Sequence, residues 1–298
     1  MPEFIAEAGR LDSVVAAALG VPRADVQRAI ADGGVTVDGG ERAKSFRLSG
    51  GETVRATISA DHDVPPEPGG VAIRHRDPHL LVISKPAGLV THPTAHRRTG
   101  TLVNRLLGMG EALSTLGGPL RQGIVHRLDA GTSGLMIVAA DDATHEALQA
   151  AFKRHDVDRR YLALVRGRTE YDDFTVDAPL GRRGPRVVVR AETGRAAATS
   201  FEVRERMERA TLLDAAPRTG RTHQIRAHLR AIGHPILGDA RYGGVGEDSR
   251  ALGLDRPFLH SWRIGFAHPL TGDRVELEEP LPEDLTEALS LARRHLQP

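Results

Sequence analysis

Residues 123–139 read Gly-Ile-Val-His-Arg-Leu-Asp-Ala-Gly-Thr-Ser-Gly-Leu-Met-Ile-Val-Ala. Two apolar runs, 123–125 and 135–139, enclose a polar insert. The runs are rich in β-branched residues and too short for helices, so both are expected as buried strands. The insert carries His126, Arg127 and Asp129, then Gly131-Thr132-Ser133-Gly134, a turn composition. Two strands closing on such a loop would fix one carboxylate in space. Taken alone, Arg-x-Asp also fits a turn cap or a local ion pair. The rest of the chain has to decide what Asp129 does.

Downstream, the apolar pattern predicts a helix over 142–154 and a strand at 161–165. Further strands are expected near 174–178, 186–190, 197–204 and 210–216. Residues 219–235, Thr-Gly-Arg-Thr-His-Gln-Ile-Arg-Ala-His-Leu-Arg-Ala-Ile-Gly-His-Pro, predict a helix capped by Thr222 and stopped by Gly233. Ile225, Leu229 and Ile232 would face the core, while His223, Arg226 and Arg230 would share another face. Strands at 257–266 and 273–277 and a helix opened by Pro282-Glu283-Asp284 complete the chain. Upstream, 80–84 reads as a strand and 101–107 as a helix. Ahead of them, residues 9–60 form a small α/β unit. Residues 61–70, Asp-His-Asp-Val-Pro-Pro-Glu-Pro-Gly-Gly, read as a linker. The main domain is then 71–298. The fold class expected is α+β, a mixed, mostly antiparallel sheet with a small N-terminal domain.

A chain of 298 residues with 40% hydrophobic and 27% charged residues is ordinary for a globular protein. No apolar run is long enough to span a bilayer, and the N-terminus lacks the basic and apolar regions of a signal peptide. Zero cysteines exclude disulfides and thiolate metal sites, and fit a cytoplasmic location. With 40 Lys+Arg against 39 Asp+Glu, the global charge is silent about nucleic acid. The arginines, however, cluster at 154–168, 182–195 and 218–230. Their planar forks suit phosphates, though for any one cluster alone a solvated strand or helix face is the favoured reading. Aromatics, at 4%, are too few for a broad stacking platform. No zinc-hydrolase histidine pair and no Walker loop occurs. Ser133 lacks the spacing of a nucleophile elbow.

The motifs together resemble a known family. His126-Arg127-Leu128-Asp129 with Thr132-Ser133-Gly134-Leu135 resembles the central motif of RluA/RluD-type pseudouridine synthases. Lys85-Pro86-Ala87-Gly88-Leu89-Val90-Thr91-His92-Pro93 is similar to an earlier motif of that family, and Tyr161-Leu162-Ala163-Leu164-Val165 to its tyrosine-bearing strand. Residues 219–226, continuing through Gly233-His234-Pro235-Ile236-Leu237-Gly238-Asp239, resemble its arginine helix. Leu259-His260-Ser261-Trp262 and Phe266-Ala267-His268-Pro269 resemble its closing strands. Residues 9–60 resemble the S4 domain, an RNA-binding module common ahead of this catalytic domain.

The resemblance implies isomerisation of uridine to pseudouridine in RNA, without metal or organic cofactor. It implies Asp129 as the essential carboxylate, acting as nucleophile at the sugar or the base, or as base at C2′. It implies Arg226 as the charge beside it and Tyr161 against a flipped uracil. Arg127 would fill the space the base leaves. Arg221 and His223, with Arg10, Arg23 and Arg28 of the S4-like domain, are the other expected RNA contacts. Bacterial large-subunit (23S) ribosomal RNA is the expected substrate, and a monomer is expected. Transfer RNA is the alternative substrate, and a non-catalytic RNA-binding assembly factor the alternative function. One departure stands out: Ala130 follows the aspartate where the family usually has lysine.

Overall fold

The computed structural model describes residues 2–58, 64–94 and 97–296. The chain divides into two units, Met1–Asp63 with Thr94–Arg97, and Val64–Pro93 with Arg98–Pro298. The smaller unit runs β1 (Glu3–Ile5), β2 (Gly9–Arg10), α1 (Leu11–Leu19), α2 (Arg23–Ala31), β3 (Val35–Val37), β4 (Gly40–Glu41), β5 (Arg47–Leu48) and β6 (Thr53–Ala56). A four-stranded sheet, β1-β6-β3-β4, carries the two helices. Leu11, Val15, Val26, Ala29, Val35, Val37 and Val54 bury the apolar stripe of each element in one core.

Asp12 on α1 is fully buried. It accepts from Arg10 Nε at 3.1 Å and from Gln27 Nε2 at 2.7 Å, and Arg23 Nη2 lies 2.9 Å away. Burial pushes this carboxyl up, but the bonds from Arg10, Arg23 and Gln27 outweigh it and hold it well below the carboxylate range. Arg10 and Arg23 are therefore both ion-paired to Asp12. The side chain of Arg28 lies outside the described residues.

Residues 61–63 of the expected linker also lie outside the described residues. Residues 64–67 are anchored. Val64 is buried, and the Glu67 N–H donates to Asn104 O at 2.9 Å. The Glu67 carboxylate accepts from Gly100 N–H at 2.8 Å, and Pro65 O accepts from Asn104 Nδ2 at 2.9 Å. This segment is thus a strap on the larger unit, not a free spacer.

The larger unit contains β7 (Ala72–Arg76), β8 (Leu80–Lys85), α3 (Leu102–Gly108), β9 (Ser133–Ala139), α4 (Asp142–Arg154), β10 (Asp158–Arg166), β11 (Asp173–Asp177), β12 (Leu180–Arg183) and β13 (Arg186–Val189). It continues with β14 (Ala198–Arg206), β15 (Ala210–Pro217), α5 (Gln224–Ala231), α6 (Glu247–Ala251), β16 (Leu259–Ala267), β17 (Arg274–Glu278) and α7 (Glu283–His295). Its main sheet has nine strands in the order β11-β14-β15-β10-β16-β9-β8-β7, with β17 on β16. The pairing of β16 with β9 is parallel, and the other pairings in this sheet are antiparallel. This is the expected α+β arrangement.

Every residue of β9 is buried, because the strand has cores on both faces. Met136 and Val138 join one, Leu135 and Ile137 the other. Gly134 is required where β9 meets β16: its φ is +111°, and a Cβ there would lie 2.2 Å from Ser261 O.

The other run of the opening stretch is not a strand. Residues 123–125 make a single bridge, Ile124 to Val138. Gly123 turns with φ +70°, its N–H donates to Ser114 O at 2.7 Å, and Ile124 N–H donates to Arg121 O at 3.0 Å. Local loop carbonyls take the donors that a ladder would have used. Asp129 is therefore held by something other than two strands.

Candidate active site

The polar loop is fixed through its own carbonyls. Leu128 O accepts from Thr91 Oγ1 at 2.8 Å, and Asp129 O from Thr132 N–H at 3.1 Å. Ala130 O accepts from Gly88 N–H at 2.8 Å and from Lys85 Nζ at 3.2 Å. Gly131 O accepts from Arg256 Nη1 at 3.2 Å. Four successive carbonyls are thus satisfied, two of them by residues 85–91, some forty positions earlier. His126 braces the same loop: its Nε2 accepts from Ile137 N–H at 2.9 Å, and its ring lies 4.7 Å from Phe152. Burial, aided by Arg159, pushes the His126 pKa down to about 3, so the ring is a neutral acceptor.

Lys85 ends β8 fully buried, and also donates to Pro86 O and Leu89 O, both at 2.8 Å. Burial lowers its pKa to about 7; Asp129 pulls it up and Arg256 pushes it down. An unfolded lysine titrates near 10.4. Between about 7 and 10 the unfolded chain therefore holds a proton that the folded chain has lost, so stability from Lys85 rises with pH. Below about pH 7 both states are protonated and the burial cost is fully present. Urea titrations from pH 6 to 9 should show wild type gaining stability relative to Lys85→Met as pH rises. Parallel curves for the two proteins would rule out a neutral Lys85.

Asp129 opens into a cavity of about 430 Å³. Tyr161 and Arg159 from β10, Arg127, Arg121 and the segment 219–226 line it. Arg226 on α5 connects two carboxylates. Its Nη1 donates to Asp129 Oδ2 at 2.9 Å. Its Nε and Nη2 donate to Asp239 Oδ2 and Oδ1 at 2.7 and 2.9 Å. Side-chain exposure falls from 17% at Asp129 to 10% at Arg226 and 1% at Asp239, so the network runs from the cavity into the core. Burial would lower the Arg226 pKa, but the bonds and charges of Asp239 and Asp129 raise it, and the cation is permanent. The Tyr242 ring packs beneath this guanidinium, 4.9 Å from centroid to Cζ.

His223 holds a left-handed backbone, φ +53°, with Nε2 3.8 Å from Asp129 Oδ2. Burial lowers its pKa, opposed by Asp129 and assisted by Arg226 and Arg241. A neutral ring with its proton toward Asp129 leaves Nδ1 to accept from Tyr242 O–H at 3.0 Å. Tyr161 is buried and faces the same cavity. Burial raises its phenol pKa against the pull of Arg159, so the hydroxyl keeps its proton.

The structure brings Asp129, Tyr161, Arg226, Arg127, Arg221 and His223 to one cavity. It corrects how α5 begins. Thr222 does not cap it; the helix starts after His223, because Gln224 Oε1 accepts from Thr219 Oγ1 at 2.6 Å and Arg221 N–H at 3.0 Å. Ile232, expected in the core, is exposed at the helix end. Arg226 is buried while Arg230 is exposed, so the expected basic row splits. Asp239, Tyr242 and Lys85 were missed as site residues, although Asp239 and Lys85 sit inside the family-like motifs. Ser133 does contact a histidine, His260 Nδ1 at 2.9 Å. Both are buried within paired strands, and His260 Nε2 bonds Glu279 O at 3.1 Å. This pair has no access to a substrate, in keeping with Ser133 lacking the spacing of a nucleophile elbow.

Comparison with known proteins agrees with this architecture. Residues 79–231 match the RNA pseudouridylate synthase family, and residues 9–54 match the S4 domain. The uncharacterized RNA pseudouridine synthase YlyB of Bacillus subtilis (strain 168) is 39% identical over 92% of this chain and 90% of its own. The ribosomal large subunit pseudouridine synthase D of Neisseria meningitidis is 36% identical over 96% of this chain and 79% of its own. The solved structure of human RNA pseudouridylate synthase domain containing 1 covers 72% of this chain and 86% of that one, with TM-score 0.56 and 28% identity. The chain belongs to the RNA pseudouridine synthases, isomerases that act on RNA, and carries an S4 domain ahead of its catalytic unit.

Proposed function

We propose that this enzyme isomerises uridine in large-subunit ribosomal RNA with Asp129 as its essential carboxylate. The observation that supports the assignment is the Arg226 bridge, which sets a permanent cation 2.9 Å from a carboxylate at the cavity wall. The reaction breaks the bond between ribose C1′ and uracil N1 and forms one from C1′ to C5. The C5 proton leaves and N1 gains one, so the composition is unchanged. Asp129 serves at the sugar or the base during this exchange. Its target base must leave its stack, which costs a few kcal/mol. Tyr161 packs against the flipped uracil, and Arg127, exposed at the cavity rim, occupies the vacated position. Arg221 and His223 complete the RNA-facing wall.

Ribosomal RNA is favoured over transfer RNA by relatives named as ribosomal large subunit pseudouridine synthase D, four of which share 36–40% identity with this chain. Among the described residues no helix is long and apolar enough to cross a membrane. A cytoplasmic enzyme meeting ribosomal RNA during assembly fits the absence of cysteine. The test uses transcripts labelled with tritium at uridine C5. Release from large-subunit transcripts, and not from transfer RNA transcripts, is expected. Release from transfer RNA alone would reverse the substrate assignment. Binding without release on either would favour a non-catalytic assembly factor.

A further inference from the structure

One histidine on the cavity wall takes no part in the network around Asp129. His92 lines the cavity and is buried. The residues just before it fix its place. Thr91 donates from Oγ1 to Leu128 O at 2.8 Å, and Val90 O accepts from Leu102 N–H at 2.8 Å. The histidine is therefore held beside the loop that carries Arg127 and Asp129.

Its tautomer follows from one bond. Nδ1 lies 2.8 Å from Pro93 O. A carbonyl oxygen only accepts, so Nδ1 carries the ring proton and donates it. A second proton on Nε2 would create a buried cation near two guanidinium groups. Burial, with the charges of Arg127 and Arg121, pushes the His92 pKa down, opposed by the bond to Pro93. Nε2 thus presents a bare lone pair. Among the described residues it has no hydrogen-bond partner, and it is not enclosed by protein.

The surroundings indicate what would meet this lone pair. Arg121 and Arg127 are exposed, and their guanidinium groups can only donate. They suit phosphate oxygens, which only accept. A phosphate against Nε2 would set lone pair against lone pair. The donor that a ribose–phosphate backbone does offer is the 2′-hydroxyl. Base edges also carry donors. The charges that act on His92, however, are those of Arg127 and Arg121, and not those of Asp129 or Arg226 deeper in the site. His92 therefore belongs to the arginine-lined rim, where backbone and not base has to pass.

We infer that His92 Nε2 accepts a hydrogen bond from the 2′-hydroxyl of a nucleotide at the cavity rim, and so helps the enzyme to select RNA over DNA. This rests on RNA as the substrate, but not on which RNA it is or on the role of Asp129.

The probe is a synthetic RNA stem–loop carrying a uridine that the enzyme converts. Single 2′-deoxy substitutions are placed at each nucleotide from three before that uridine to three after it. Equilibrium binding to each RNA is measured for wild type, His92→Phe and His92→Gln. In wild type, one position should weaken binding roughly two- to tenfold when its 2′-hydroxyl is removed, the range of one neutral hydrogen bond. His92→Phe should bind the unsubstituted RNA more weakly by a similar factor and lose the penalty at that position alone. His92→Gln, whose amide oxygen can accept, should regain part of it. Each comparison sets two RNAs against the same protein, so a general loss of affinity does not imitate the result. Deoxy penalties in His92→Phe equal to those of wild type at every position would overturn the proposal. His92 would then only brace residues 90–93 through Pro93. A variant that lost its discrimination against 3-methyluridine at the target, with the 2′-deoxy profile unchanged, would overturn it too and move the contact to the base.

Discussion

Arg226→Ala is expected to destabilise the fold by about 3–5 kcal/mol, the cost typical of stranding a buried charge. The substitution strands two. Asp239 is 1% exposed and takes two bonds from the guanidinium, and Asp129 takes the third. Among the described residues, Asp239 then keeps only the backbone N–H groups of Arg241 and Tyr242, at 3.1 and 3.2 Å. The deficit should shrink in acid, where protonation of the stranded carboxylates relieves it. Turnover should fall roughly 10²-fold or more, since Asp129 loses the cation bonded to it and with it a fixed position. Arg226→Lys should recover only part of the stability, because a point charge cannot bridge two carboxylates as the planar fork does. Thermal melts and urea titrations at pH 5 and 8 check both statements. Full stability in Arg226→Ala would mean that the bridge is ornamental.

Asp129→Asn should behave in the opposite way. Arg226 keeps Asp239, so the network loses one of two negative charges shared by one cation. The fold should be as stable as wild type or more so, the pattern of a residue kept for chemistry at a cost in stability. Turnover should fall by about four orders of magnitude or more, as when a nucleophile or base is removed from a site that acts as a unit. A protein that is stable, binds RNA and is inert separates catalytic loss from unfolding.

Much of this architecture is legible in the chain. The runs that alternate or stay apolar over five or more residues became strands within a few residues, as at 161–165 and 210–216. Those patterns report burial directly. Residues 123–125 misled because a three-residue apolar run carries no register, and Gly123 could turn as readily as extend. The start of α5 was missed because its first turn is held by Gln224, a side chain inside the helix reaching back, where sequence reasoning looks for a cap ahead of it. The cavity residues were found because they lie in motifs. The contact of Arg226 with Asp129 was implied by the resemblance, but the wider network was not. That Arg226 serves Asp239 as well as Asp129, or that Lys85 and Thr91 hold the loop carbonyls, depends on contacts between segments far apart in sequence. At Arg10 and Arg23 the pairing partner, the buried Asp12 of the same small domain, depends on the fold of α1 and α2 together and could not be assigned from the chain.

The central claim is that one carboxylate, Asp129, does the chemistry in the cavity bounded by Tyr161 and Arg226. The most direct measurement is single-turnover tritium release from C5-labelled large-subunit ribosomal RNA by wild type and Asp129→Asn, with RNA binding followed in the same reactions. Release at background by the variant, with binding equal to wild type, is the expected result. Release at a rate near wild type by Asp129→Asn would contradict the claim and move the chemistry to another residue.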